Sequence, residues 1–139
     1  KATSMRLETE KTNKITIIND CYNASPDSMK SSIEVLMTKA ASRRVAILGD
    51  MYELGSKTEE AHEEVGSFAK GKIDLLIVIG ENVNNYENGF GSEHIRKFAS
   101  KDDFFEEVDN LINKDDVILV KASRGMRFEE IISKLKELK

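Results

Sequence analysis

The sequence of 139 residues is 33% charged and 40% hydrophobic, with a formal net charge of −4. That balance excludes a disordered chain and offers nucleic acid no basic surface. A chain of this length fits one domain and buries about 70% of its extended-state surface, enough for a core without staples. One cysteine, Cys21, allows no internal disulfide framework. No apolar run approaches the roughly 20 residues that cross a bilayer, so a soluble, cytoplasmic protein with no membrane span and no nucleic-acid partner is expected.

In chain order, Met5–Glu10 alternates and predicts an edge strand, and Ile15-Thr16-Ile17-Ile18 predicts the first buried strand. Ser25 then suits an N-cap, Pro26 the first helical position, and Asp27 the positive helix end. Met29, Ile33, Leu36, Met37 and Ala40 follow at helical spacing. Val45-Ala46-Ile47-Leu48 predicts a second buried strand. A helix opening at Thr58 turns Ala61, Val65, Phe68 and Ala69 inward and stops near Gly71. Leu75-Leu76-Ile77-Val78-Ile79 predicts a third strand, while residues 80–94, rich in Asn and Gly, are the least readable stretch. Ile95–Phe98 predicts a short strand, and a helix from near Ser100 faces Phe104, Val108, Leu111 and Ile112 inward. Val117-Ile118-Leu119-Val120 and a helix carrying Phe128, Ile131, Ile132, Leu135 and Leu138 complete the pattern.

The strand segments are short, β-branched and nearly continuous, as in strands covered on both faces. Alternation with helices implies right-handed crossovers. The expected fold class is α/β, Rossmann-like, with a mostly parallel sheet and helices on both faces, as one domain over residues 1–139. Lys1–Ser4 reads as the end of a linker from a longer chain.

Open parallel sheets bind ligands outside the carboxyl ends of their strands, which directs attention to the segments after each strand. Asp20 could hold a ribose hydroxyl or a metal-bound water, and Asn23 an amide or a base edge. Both residue types equally well shape turns and cap helices. Lys121 and Arg124 suit a carboxylate or phosphate, against the alternative of a solvated helix start. Gly66-Ser67-Phe68-Ala69-Lys70-Gly71-Lys72-Ile73 nearly spells a phosphate-binding loop. It fails because Ile73 replaces the magnesium-holding hydroxyl and because the segment ends a helix. His62 and His94 have no metal-ligand spacing to Cys21, and His62 is expected on a helix surface or in packing. Cys21, beside the acidic Asp20, is a poor nucleophile.

Four segments resemble successive signatures of one family. They are Asn19-Asp20-Cys21-Tyr22-Asn23-Ala24-Ser25-Pro26-Asp27-Ser28-Met29, Leu48-Gly49-Asp50-Met51-Tyr52-Glu53-Leu54-Gly55, His62 with Val65-Gly66, and Lys121-Ala122-Ser123-Arg124-Gly125-Met126. In this order they look like the carboxy-terminal domain of the Mur ligases, in the branch that adds D-alanyl-D-alanine. The similarity runs from about Met5 to the end. It implies a three-domain, ATP-dependent ligase of peptidoglycan synthesis, with ATP and magnesium as cofactors bound mainly by an upstream central domain. The implied partners are the chain's own upstream domains and the substrates D-alanyl-D-alanine and UDP-N-acetylmuramoyl-tripeptide. The implied chemistry is acyl-phosphate formation on the tripeptide carboxylate, followed by attack of the dipeptide amine.

Position by position, the resemblance assigns Arg6, Asp20 and Asn23 to the nucleotide and Lys121, Ser123 and Arg124 to the dipeptide. Asp50 and Glu53 fall in a signature loop without assigned contacts, and no catalytic residue or metal ligand is expected in this domain. Departures from the family pattern are Cys21 for Ser, Ser25 for Asn, Ala122 for Gly and Phe128 for Met. Ser25 removes an amide from the rim while keeping an N-cap. The competing readings are a sister ligase adding another amino acid and a stand-alone flavodoxin-like binding module.

Overall fold

The computed structural model describes residues 7–139, so Arg6, assigned to the nucleotide above, lies outside the described residues, as does the start of the Met5–Glu10 segment. Among the described residues, six strands form a single sheet. They are β1 (Glu8–Lys11), β2 (Thr16–Asn19), β3 (Arg43–Leu48), β4 (Leu75–Ile79), β5 (Ile95–Phe98) and β6 (Asp116–Lys121). Five helices connect or follow them: α1 (Pro26–Met37), α2 (Thr58–Ala69), α3 (Val83–Phe90), α4 (Lys101–Leu111) and α5 (Glu129–Lys136). The order across the sheet is β1-β2-β6-β3-β4-β5. Only the edge pair β1–β2 is antiparallel; the other neighbours run parallel.

Period-two side-chain alternation decides what covers each face. Ile17, Val45, Ile47, Ile77, Ile118 and Val120 pack with Phe104, Val108, Ile131 and Leu135 of α4 and α5. Ile18, Ala46, Leu48, Leu76, Val78 and Leu119 pack on the other side with Met29, Ile33, Val65 and Tyr86 of α1, α2 and α3. Each fully buried Leu or Ile contributes about 1.5–3 kcal/mol relative to an exposed one. Both faces are therefore covered, as the β-branched strand sequences require.

Local signals fix the helix starts. Ser25 Oγ accepts the Ser28 N–H at 3.2 Å and Ser28 Oγ accepts the Ser25 N–H at 2.9 Å, a reciprocal capping box that opens α1 behind Pro26. Ser100 caps α4 through the Asp103 N–H at 3.1 Å. The helix α3 arises inside residues 80–94, the stretch least readable from the sequence. Its N-cap, Asn82, forms no capping bond of its own. It packs closely on α2, where a side chain on Gly89 would lie 2.0 Å from the Glu63 carbonyl oxygen. The near-phosphate-loop segment becomes the end of α2, with Gly66 against the backbone of α3 rather than at a helix start.

Because β6 inserts between β2 and β3, the loops after those three strands become neighbours. Asn19 stands opposite Val120 and Leu48 opposite Lys121. Two further bonds, Asp20 N–H to Val120 O at 3.0 Å and Gly49 N–H to Lys121 O at 3.0 Å, carry the ladder into the loops.

A candidate ligand-binding rim at the carboxyl ends of the strands

The rim is built around two buried aspartates. Asp20, directly after β2, is 2% exposed. Its Oδ2 accepts a hydrogen bond from Ser32 Oγ of α1 at 2.5 Å and an ion pair from Lys121 Nζ of β6 at 2.7 Å. Lys121, also 2% exposed, donates a second bond to the Asn23 carbonyl at 2.9 Å. Asp20 Oδ1 is buried without a hydrogen-bond partner among the described residues. Beside this cluster is a depression of about 350 Å³ lined by Leu7, Asn23, Ser28, Ser31 and the Asp20–Lys121–Ser32 trio.

Asp50, after β3, has a different task. Its carboxylate accepts the Glu81 N–H at 3.0 Å, the Asn82 N–H at 2.9 Å and Asn82 Nδ2 at 3.0 Å. It thus supplies the cap that α3 lacks, and satisfies the positive end of that helix. Gly80, at φ +127, permits the approach: a Cβ there would meet Asp50 Oδ2 at 2.4 Å.

His62 of α2 holds the same loop from beneath. Its Nε2 accepts the Met51 N–H at 2.9 Å, so the ring hydrogen sits on Nδ1 and reaches the Thr58 carbonyl at 2.6 Å. Burial lowers the His62 pKa below its ordinary value, the Thr58 bond and Asp50 acting in the opposite direction. Of the two expected placements, packing is the one observed, since His62 is fully buried. Tyr86 crosses its ring edge-on at 5.1 Å and donates to the Gly49 carbonyl at 2.6 Å.

Ser123 completes the join between loops. Its hydroxyl accepts the Tyr52 N–H at 2.8 Å, and its own N–H donates to the Asp50 carbonyl at 3.0 Å. The departures Ala122 and Phe128 fill one space together, since a Cβ on Gly49 would lie 2.7 Å from the Ala122 methyl and 2.5 Å from the Phe128 ring.

The two cations expected to act on one anion are separated. Lys121 is internal and paired, whereas Arg124 is exposed, its guanidinium 5.2 Å from the centre of the Tyr22 ring. Asn23 is exposed, and its Oδ1 accepts the Ala24 N–H at 2.8 Å, a turn-shaping bond. Glu53 is exposed at φ 64, in the left-handed region. Cys21 is buried, and burial pushes its thiol up to about 12, with Glu129 and Asp20 adding to the effect. No thiolate nucleophile is therefore present at neutral pH.

Sequence reasoning missed Ser32. Ser32 carried a signal: it lies on the inward stripe of α1 beside Met29, Ile33 and Leu36, where a polar side chain needs a partner. Among the described residues no three His, Cys, Asp or Glu side chains gather as a metal site. No helix among them is long and apolar enough to cross a membrane.

Comparison with known proteins places this geometry in a family. The chain is 39% identical over 144 residues to the UDP-N-acetylmuramoyl-tripeptide–D-alanyl-D-alanine ligase of Bacillus subtilis, covering 99% of this chain and 32% of that protein. The Escherichia coli protein of the same name is 35% identical over 125 residues, covering 87% of this chain and 27% of that one. Among solved structures, MurF from Acinetobacter baumannii matches with a TM-score of 0.88 at 27% identity, over 95% of this chain and 30% of that one. MurF ligase from Thermotoga maritima in complex with ADP matches with a TM-score of 0.80 at 29% identity, over 96% of this chain and 30% of that one. The chain thus spans about a third of the length of these relatives. Residues 5–124 match the model of the Mur ligase, glutamate ligase domain, and the chain belongs to that family.

Proposed function

We propose that this chain closes the nucleotide and dipeptide sites of an ATP-dependent ligase joining D-alanyl-D-alanine to UDP-N-acetylmuramoyl-tripeptide in cytoplasmic peptidoglycan synthesis. The observation that carries the reading is the gathering of the Asp20, Asp50 and Lys121–Arg124 loops on one rim, in a chain similar along 99% of its length to a ligase of that name. An isolated rim of this kind has no phosphate-binding loop, so ATP and magnesium are held mainly by the upstream central domain, and this domain alone is inactive.

In this reading Arg6, Asp20 and Asn23 face the nucleotide. The ADP bound in the Thermotoga maritima relative supports a nucleotide for the family. Arg124 meets the dipeptide carboxylate, because its guanidinium is exposed and its fork suits bidentate contact. Ser123 and Asp50 act through the loops they hold, and Glu53 stands on the same rim as a further polar contact.

Joined to its own upstream domains, the protein is expected to release phosphate from ATP only when the UDP-tripeptide and D-alanyl-D-alanine are both present. Greater release with a single amino acid would assign the chain to a sister ligase. Release with neither amine, from soluble and folded enzyme, would overturn the ligase reading.

A further inference from the structure

The assignment of Lys121 to the dipeptide sits poorly with its surroundings. Its ammonium is 2% exposed and lies 2.7 Å from Asp20 Oδ2 and 2.9 Å from the Asn23 carbonyl. A buried cation persists because it is paired, and drawing it toward a second anion would strip Asp20 of its counter-charge. Arg124 has no such commitment to an acidic group, being exposed over Tyr22.

Asp20 is held from two elements at once. Ser32 reaches it from α1 and Lys121 from β6, and both donors fall on the same oxygen, Oδ2. That arrangement fixes the plane of the carboxylate and leaves Oδ1 buried without a partner among the described residues. A buried carboxylate oxygen lacking a donor is costly, and a ligand that supplies one offsets the cost. The adjoining depression is small, polar at Asn23, Ser28 and Ser31, and suited to a hydroxyl-bearing group rather than a second carboxylate.

We infer that Lys121 and Ser32 are positioning residues for the nucleotide: together they lock Asp20 so that Oδ1 is kept for a hydroxyl donor, and Lys121 is not a ligand of the dipeptide. The inference rests on the nucleotide-closing reading above. It moves one of the two rim cations from the dipeptide to the nucleotide side.

The test uses the ligase with all its domains and the variants Ser32→Ala and Lys121→Met, with separate saturation curves for ATP and for D-alanyl-D-alanine. Ser32→Ala keeps the ion pair and guards against a variant that fails to fold. Both variants are expected to raise the KM for ATP, by roughly three- to tenfold for Ser32→Ala and tenfold or more for Lys121→Met, with the dipeptide KM within twofold of wild type. A purely structural role would lower kcat through loss of active enzyme and leave both KM values unchanged, which would overturn the inference. A rise in the dipeptide KM with the ATP KM unchanged would overturn it as well, and would restore Lys121 as a dipeptide ligand. If the wild-type enzyme consumes no ATP with the dipeptide, the parent reading falls and takes this inference with it; an active wild type with the wrong KM pattern overturns this inference alone.

Discussion

The carboxylates of Asp20 and Asp50 sit at nearby strand ends, yet their partners give them different work. Asp50 spends three acceptor sites on the start of α3, so it acts on the rim by holding a loop. Asp20 keeps one oxygen without a donor among the described residues, the acceptor on which the proposed nucleotide contact rests. Arg124 is its counterpart on the outer rim. Losing a charge-assisted contact costs about 1.5–3 kcal/mol, so Arg124→Ala in the full ligase should raise the dipeptide KM roughly ten- to hundredfold. A dipeptide KM and turnover both at wild-type values would remove Arg124 from the site.

His62 gives a pH prediction with a definite sign. Burial lowers its pKa in the folded state, while the unfolded side chain titrates near about 6.5. Its contribution to stability is therefore complete above that value and is lost as pH falls from there through the lowered folded pKa. His62→Gln can still accept from Met51 and donate to Thr58, and it removes the titration. The urea midpoint should fall more for wild type than for His62→Gln between about pH 7.5 and pH 5.5. Parallel losses in the two proteins would contradict the assignment.

At the scale of elements, the strands were legible because fully covered strands must be apolar on both faces, and Val45–Leu48, Leu75–Ile79 and Val117–Val120 are. The capping of α1 was legible because Ser25 carries its own acceptor, whereas for α4 only a start near Ser100 was read and the Ser100 cap emerged with the structure. The helix α3 was not, for two physical reasons. Its cap comes from Asp50, 32 residues before Asn82 in sequence. Its inward face holds only Tyr86 and Phe90 as buried residues, with glycine contacts replacing side-chain packing. That glycine seam carries a prediction of its own. In Gly89→Ala the new methyl would lie 2.0 Å from the Glu63 carbonyl oxygen and 2.6 Å from the Ser67 nitrogen. Overpacking of this kind costs about 1–3 kcal/mol, read as a lowered urea midpoint with an unchanged slope. An unchanged midpoint would mean that α2 and α3 part without cost.

At the scale of the molecule, the position of β6 between β2 and β3 makes separate loops into one surface. Motif order named the loops that matter, but strand order is a long-range property that no local signal encodes, so the pairing of Lys121 with Asp20, 101 residues apart, was out of reach of the sequence. The same pairing divides the rim into an inner, buried part around Asp20 and an outer, exposed part around Arg124. The most direct test is product formation by the ligase carrying this domain, followed by mass spectrometry. With ATP, magnesium, UDP-N-acetylmuramoyl-tripeptide and D-alanyl-D-alanine, the account predicts a UDP-pentapeptide and an equal amount of phosphate. Phosphate without the pentapeptide, or a product bearing a different amine when several are offered together, would contradict it.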